Sequence, residues 1–232
     1  MPLWTICCLF YGDYPELAKR LLDSLQALPA DEYRLRVGAN ELSARSLLEI
    51  MQQLETLPLE RLVDSATNRH KYPVMRELLH ADWPQTPYVM WFDDDSFVAE
   101  PSGFLAALTQ RMETADMLGG LYKMRLQGRQ SRWIMSQPWY RGLPVPPNHS
   151  VLFATGGWWA IRARCLQELN WPLPELDHRG GDVMLGEACR QMGYRLQNFR
   201  QGVAINADAA GRESKAQRRG YDSRPIGYDF RG

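Results

Sequence analysis

Three consecutive carboxylates, Asp93-Asp94-Asp95, close the apolar run Tyr88-Val89-Met90-Trp91-Phe92, and the chain turns apolar again at Phe97-Val98. The run is too short for a helix and reads as a buried strand. Side chains alternate across a strand, so this pattern places Asp93 and Asp95 on one face and Asp94 on the other. Two carboxylates that close stay ionised together only with positive charge between them, and a divalent cation supplies it best. A polar strand end needs one turn-forming aspartate. Three of them behind a Trp-Phe core strand point to a metal site at the edge of a sheet.

The rest of the chain supplies such a sheet. Thr5 to Tyr11 is a first buried strand ending at Gly12-Asp13. Asp13, Pro15 and Glu16 read as a helix start, and Leu17, Leu21, Leu22, Leu25 and Leu28 continue it at helical spacing. Tyr33 to Val37 alternates as a second strand, ending at Gly38-Ala39-Asn40-Glu41. Ser43 caps a helix to Leu54, with Leu47, Leu48, Met51 and Leu54 on one face. A strand at Leu59 to Val63, a polar loop and a helix at Tyr72 to Ala81 lead into the aspartate strand. Beyond it, helices are expected at Pro101 to Met112, Arg162 to Leu169 and Val183 to Met192. Strands are expected at Ala115 to Tyr122, Phe153 to Ile161 and, last, Tyr194 to Phe199. The alternation predicts an α/β fold with a mostly parallel central sheet flanked by helices. Ligands of such sheets gather beyond the carboxyl ends of the strands. Gly12-Asp13, Asn40-Glu41 and Asp93 to Asp95 therefore line one nucleotide-type crevice.

Composition narrows the class further. The 232 residues are 45% hydrophobic and 23% charged, as in a soluble globular protein. Lys plus Arg and Asp plus Glu are both 27, so no global field gathers a polyanion. Charge is unevenly placed, however. Leu121 to Ser150 holds no acid but has Lys123, Arg125, Arg129, Arg132 and Arg141, and the tail from Gly211 is basic. Cys7, Cys8, Cys165 and Cys189 show no CxxC spacing and read as reduced core cysteines, neither disulfides nor zinc ligands. The first residues show neither a signal peptide nor an anchor, so no membrane span is expected and the expected location is cytoplasmic.

Three blocks stand in a recognisable order: Phe92-Asp93-Asp94-Asp95-Ser96-Phe97-Val98, Ala154-Thr155-Gly156-Gly157-Trp158-Trp159 and Gly181-Asp182-Val183-Met184-Leu185-Gly186. Over roughly residues 70 to 200 this resembles the metal-dependent glycosyltransferases of GT-A fold, most closely the beta-1,3-glycosyltransferase and fringe group. The resemblance implies a single GT-A domain over residues 1–232, with a nucleotide-sugar half (1–100), an acceptor half (101–210) and the basic tail (211–232). It implies Asp95 as direct ligand of Mn2+ or Mg2+, Asp93 as a residue that assists through water or reaches the ribose, and Asp182 as the base that deprotonates the acceptor hydroxyl. Arg76 matches a basic position that reaches the donor phosphates. With Thr5, Tyr11, Asn40 and Asp94 it makes up the expected donor contacts. Gly157, Trp158, Trp159 and Gly181 are the expected acceptor contacts, with one tryptophan stacking on sugar or base.

The chain departs from that pattern at two places. Gly181 stands where the family has Glu, and no histidine follows the last expected strand. Asn206, Asp208 or water is left for the third metal position. The expected activity is an inverting transfer from a nucleotide-diphosphate sugar, most readily a UDP-sugar, to a glycan or protein hydroxyl. The metal neutralises the leaving diphosphate, and a single in-line displacement inverts the sugar. Lys123 to Arg141, basic and interleaved with aromatics, reads either as a solvated loop or as a surface for DNA bearing hydroxylated bases. The rival classes are a metal-dependent nucleotidyltransferase and a non-catalytic sugar-nucleotide or glycan-binding module. The first would normally carry a glycine-rich phosphate loop, which Phe10-Tyr11-Gly12-Asp13 does not form.

Overall fold

A computed structural model of the protein describes residues 1–125, 132, 134–143, 150–178 and 180–207. The strands are β1 (Trp4–Tyr11), β2 (Tyr33–Asn40), β3 (Leu59–Ser65), β4 (Tyr88–Asp93), β5 (Phe97–Val98), β6 (Met117–Arg125), β7 (Ser150–Arg162), β8 (Leu196–Asn198) and β9 (Val203–Ala204). The helices are α1 (Pro15–Gln26), α2 (Ala44–Leu54), α3 (Lys71–His80), α4 (Phe104–Met112), α5 (Ala163–Glu168) and α6 (Gly181–Gln191). A seven-stranded sheet runs in the order β3-β2-β1-β4-β7-β6-β8. Strands β3, β2, β1 and β4 are parallel, β7 is antiparallel to both β4 and β6, and β8 is parallel to β6. The expected mixed, mostly parallel α/β sheet is what forms. The order reverses at β1: β2 and β3 build outward on one side and β4 inserts on the other. This switch point opens a crevice at the carboxyl ends of β1 and β4.

Both faces of the sheet are covered, so its central strands are apolar at nearly every residue. On β1, Ile6, Cys8 and Phe10 join the core formed with α1, α2 and α4, while Cys7 and Leu9 join the core formed with α3, α5 and α6. The same alternation divides Trp91 from Phe92 and Trp159 from Trp158. The antiparallel register pairs Trp91 with Trp159 and Phe92 with Trp158. Trp91 and Trp159 stack at 6.2 Å between ring centroids, while Trp158 meets Phe92, Phe104 and Phe199 at 6.0–6.4 Å. Each aromatic pair contributes about 0.5–1.5 kcal/mol beyond its buried area. The expectation that one of these tryptophans stacks on an acceptor is corrected here. Trp158 is fully buried and Trp159 is 2% exposed, because helices cover both sheet faces and each ring has a core to enter.

Other local expectations shift for physical reasons. Asp13 does not cap α1, whose N-cap position is Tyr14 and has no side-chain capping bond. Its carboxylate instead accepts the hydroxyls of Ser43 and Ser46, tying the β1–α1 turn to the start of α2. Ser43 does cap α2, accepting the Ser46 amide. The buried stripe of α2 is Ser46, Ile50 and Leu54, leaving Leu48 and Met51 exposed. Arg36, read as the polar side of an alternating strand, is fully buried. It bonds Glu60 and the Leu78 and Asp82 carbonyls, closing the end of α3 with a cation where the helix dipole is negative. The four cysteines are free and buried, and burial pushes the Cys7 and Cys165 thiols up to about 12, which leaves them inert. The strand expected to be last is followed by β9, which pairs with β5 beyond the aspartates. Among the described residues, no helix is long and apolar enough to cross a membrane.

Truncating the central ring of this core tests the packing. Trp158→Ala is expected to lower stability by about 3–5 kcal/mol in urea unfolding, the cost of a large cavity at a site with no solvent to refill it.

Candidate functional site

Strand β4 ends at Asp93, and its backbone carbonyl accepts the Ser96 amide at 3.0 Å across a turn formed by Asp94 and Asp95. The expected shared strand face for Asp93 and Asp95 therefore does not exist. Three adjacent aspartates are better accommodated by a turn, which disperses the carboxylates, than by continued pleating. Asp94 is 5% exposed, so little of it is open to the donor it was expected to touch. Asp95 receives the Ser96 hydroxyl at 3.4 Å, and its carbonyl accepts the Ala207 amide at 2.9 Å.

That last bond brings the chain beyond β9 back over the turn. The Asn206 amide donates to Ser96 Oγ at 3.0 Å, and its side-chain Nδ2 donates to Thr155 Oγ1 at 3.3 Å. Asn206 has a φ of 52°, a left-handed conformation that asparagine tolerates better than most residues. Its carboxamide oxygen sits in the space left by Gly157: a Cβ there would stand 2.0 Å from Asn206 Oδ1 and 2.9 Å from Ser96 Oγ. Gly157 thus admits Asn206 to the aspartate turn, whereas the sequence reading made it an acceptor contact. Asp208, the alternative third ligand, lies outside the described residues.

The neighbouring Gly156 faces the other half of the site. A Cβ on it would lie 3.1 Å from Lys71 Nζ and 3.6 Å from Asp182 Oδ2. The Lys71 ammonium donates to Asp93 Oδ2 at 2.8 Å and to the Gly156 carbonyl at 2.6 Å. The other Asp93 oxygen accepts the Trp91 indole N–H at 2.8 Å. Sequence reasoning missed Lys71, because one lysine at a helix start carries no signal until the chain folds. Its position depends on the turn before α3. Asn40 Oδ1 accepts the Arg69 amide, and Asn40 Nδ2 donates to Asn68 Oδ1, which also accepts the His70 amide. His70, with φ 65°, then turns the chain into α3 at Lys71. Asn40 was expected to touch a donor. Both ends of its amide are instead occupied in building this turn, and it is 2% exposed.

Asp182 lies in the first turn of α6, where the helix dipole favours a carboxylate. Burial dominates nevertheless and pushes its carboxyl above the usual aspartate value of 3.8, with Lys71 opposing that rise and Asp93 adding to it. Tyr72 packs beneath, its hydroxyl facing the amides of Gly181 and Asp182, and burial raises its pKa well above the ordinary value. A Cβ on Gly181 would stand 2.2 Å from the Tyr72 ring. This explains the departure noted in the sequence: the ring fills the space that any side chain before Asp182 would need. Packing against Tyr72 therefore accounts for the glycine at position 181.

Two further donor expectations are corrected. Thr5 sits at the amino end of β1, across the sheet from the crevice, and its hydroxyl bonds Thr86 at 2.7 Å. Arg76 bonds the carbonyls of Asn170 and Pro172, which hold it as a strut between α3 and the loop after α5. Burial lowers its pKa, with no anion of the site beside it. Tyr11 does end β1 at the crevice, partly exposed, with Tyr14 6.3 Å from it. Most of the basic stretch from Lys123 to Arg141 that carried the DNA reading lies outside the described residues.

The donor set can be tested against the implied divalent cation. Among the described residues no three His, Cys, Asp or Glu side chains converge as a self-contained metal site. Asp95 and Asn206 are nonetheless brought to one turn, and carboxylate and amide oxygens are the donors that hard divalent ions take. Such ions commonly accept one or two protein oxygens and complete their shell with phosphates and water. The residues present fit a cation shared with a diphosphate ligand.

No protein-family model matches the chain, and no curated protein matches it in sequence. Solved structures do resemble it. The mannosyltransferase PcManGT from Pyrobaculum calidifontis, in complex with GDP-Man and Mn2+, superposes with a TM-score of 0.60 at 17% identity over 86% of this chain. TarS 1-349 from S. aureus in complex with UDP gives 0.58 at 16% identity over 87% of the chain, and its UDP-GlcNAc complex gives 0.56 at 15% over 90%. The chain spans 55%, 58% and 62% of the lengths of these three structures. At such identities the likeness establishes the fold, a GT-A-type α/β sheet.

The Gly157 contact yields a direct test. Gly157→Ala is expected to displace the Asn206 side chain, break its bond to Thr155 and cost about 1–3 kcal/mol of overpacking in thermal unfolding, without loss of the sheet.

Proposed function

We propose that the protein is a metal-dependent, inverting glycosyltransferase that uses a nucleotide-diphosphate sugar, with UDP-sugars the preferred class. One observation carries the reading. The adjacent glycines of β7 bring two chemistries to a single seam, with Asn206 and Ser96, the bonded neighbour of Asp95, beside Gly157 and with Asp182 beside Gly156. That the fold is shared with structures holding GDP-Man and Mn2+, or UDP-GlcNAc, supports it.

Asp95 and Asn206 would hold the cation together with the donor's phosphate oxygens. When bound, a divalent ion neutralises charge on the leaving diphosphate without a proton transfer. The carboxyl ends of β1 and β4, with Tyr11 at their rim, receive the nucleotide at the switch point of the sheet. Asp182 takes the proton of the acceptor hydroxyl as that oxygen bonds the anomeric carbon and the bond to the diphosphate oxygen breaks. A single displacement of this kind inverts the sugar centre. The raised pKa of Asp182 makes its carboxylate a stronger base than that of an ordinary aspartate. Tyr72 supports the turn of α6 from which that carboxylate projects.

Asp95→Ala is expected to abolish Mn2+-dependent UDP binding in calorimetry; full retention would remove Asp95 as a ligand. Asp182→Asn is expected to bind UDP normally and to lose turnover by about 10²–10⁴-fold, the usual contribution of a general base. The pH profile carries a sign. Asp182 acts ionised, and its pKa is raised, so kcat/KM should begin to fall at a higher pH on acidification than an aspartate at 3.8 would allow. An acidic limb at or below that value would exclude Asp182 as the base.

A further inference from the structure

Lys71 is 8% exposed, and a lysine that deep persists only when its charge is matched. Its partner is Asp93, at 2.8 Å, and its second acceptor is the Gly156 carbonyl at 2.6 Å. The ammonium also stands 5.5 Å from the centroid of the Trp91 ring, whose indole N–H bonds the remaining Asp93 oxygen. Each oxygen of Asp93 thus carries a charged or neutral donor from buried neighbours. A divalent ion on this carboxylate would have to share it with an ammonium and would be repelled by it. Asp95, two residues on, accepts the Ser96 hydroxyl with its side chain and the Ala207 amide with its backbone carbonyl.

We propose that Lys71 is a positioning residue that withholds Asp93 from metal binding. Its ammonium keeps Asp93 as a counter-ion and ties it to the Gly156–Gly157 seam, so that Asp95 and Asn206 are the chain's own cation ligands. The inference rests on reading the site as a metal–diphosphate site, and it divides the aspartate triplet by role. Asp93 closes the internal ion pair, Asp94 is buried, and Asp95 meets the cation. The arrangement also leaves one negative charge fewer beside Asp182 than three open carboxylates would, which suits a site that must accept a diphosphate.

The test measures Mn2+ affinity by electron paramagnetic resonance, for the metal alone and with UDP, on the full chain. Asp93→Asn is expected to bind Mn2+ within about twofold of the unaltered protein, whereas Asp95→Asn weakens it about tenfold or more. Lys71→Met frees a carboxylate, so Mn2+ alone should bind about three- to tenfold more tightly, the scale of one unscreened charge in a half-buried site. That gain should vanish in the Lys71→Met/Asp93→Asn double variant, and Lys71→Arg should restore the native affinity. A structural role alone would move thermal stability and not produce this pattern. If Asp93→Asn weakens Mn2+ as severely as Asp95→Asn, or a folded Lys71→Met binds Mn2+ no more tightly, the inference is overturned while the metal reading stands. If the unaltered chain binds no Mn2+ even with UDP, the metal reading falls and the inference with it.

Discussion

The ion pair between Lys71 and Asp93 holds the candidate site together. It joins the first residue of α3 to the last residue of β4, and through the Gly156 carbonyl it reaches β7. These three segments are far apart in sequence and meet at the carboxyl edge of the sheet. A half-buried carboxylate there would be costly without a matched cation, and a buried ammonium costlier still. Each makes the other tolerable. The turn that delivers Lys71 is itself built from the end of β2, where Asn40 and Asn68 share their amide bonds with the backbone of Arg69 and His70. The geometry at Asp93 therefore depends on strand ends from both sides of the switch point.

The aromatic core sets the second constraint. Cross-strand pairing of Trp91 with Trp159 and Phe92 with Trp158 holds β7 in register against β4. A slip of one residue would send each tryptophan to the wrong face. With that register held, Gly156 and Gly157 arrive where β4 ends. One glycine makes room for Asn206 and the other lies against Lys71 and Asp182. The buried tryptophans act on the site through register. Tyr72 plays a related part: its ring occupies the space before Asp182 and leaves only glycine admissible at Gly181.

Much of the architecture was legible because it depends on local periodicity. Apolar runs such as Trp4 to Tyr11 and Tyr88 to Phe92 announce strands buried on both faces, and Ser43 announces the start of α2. Asp95 and Asp182 were singled out from short sequence blocks, whereas Asn206 was one of several candidates left for the third metal position. Other assignments failed for a common reason. Thr5, Asn40, Arg76, Trp158 and Gly181 are residue types that suit ligand contact, yet each found a partner within the protein: Thr86, the Asn68 turn, the Asn170–Pro172 carbonyls, the aromatic core and the Tyr72 ring. Side-chain chemistry shows what a residue is able to bind, and long-range packing decides what it meets first.

By itself, the sequence determined an α/β sheet with polar strand ends, a cluster of carboxylates at one of them and a lone acidic residue at the start of a later helix. Those features follow from alternation, helical spacing and the mutual repulsion of adjacent charges, all of which act within a few residues. Tertiary structure alone decided which aspartate is neutralised by Lys71, which is buried and which lies in the turn that Asn206 and Ala207 close over. These are contacts between residues 22 to 110 positions apart, and their strength depends on burial that no local pattern encodes.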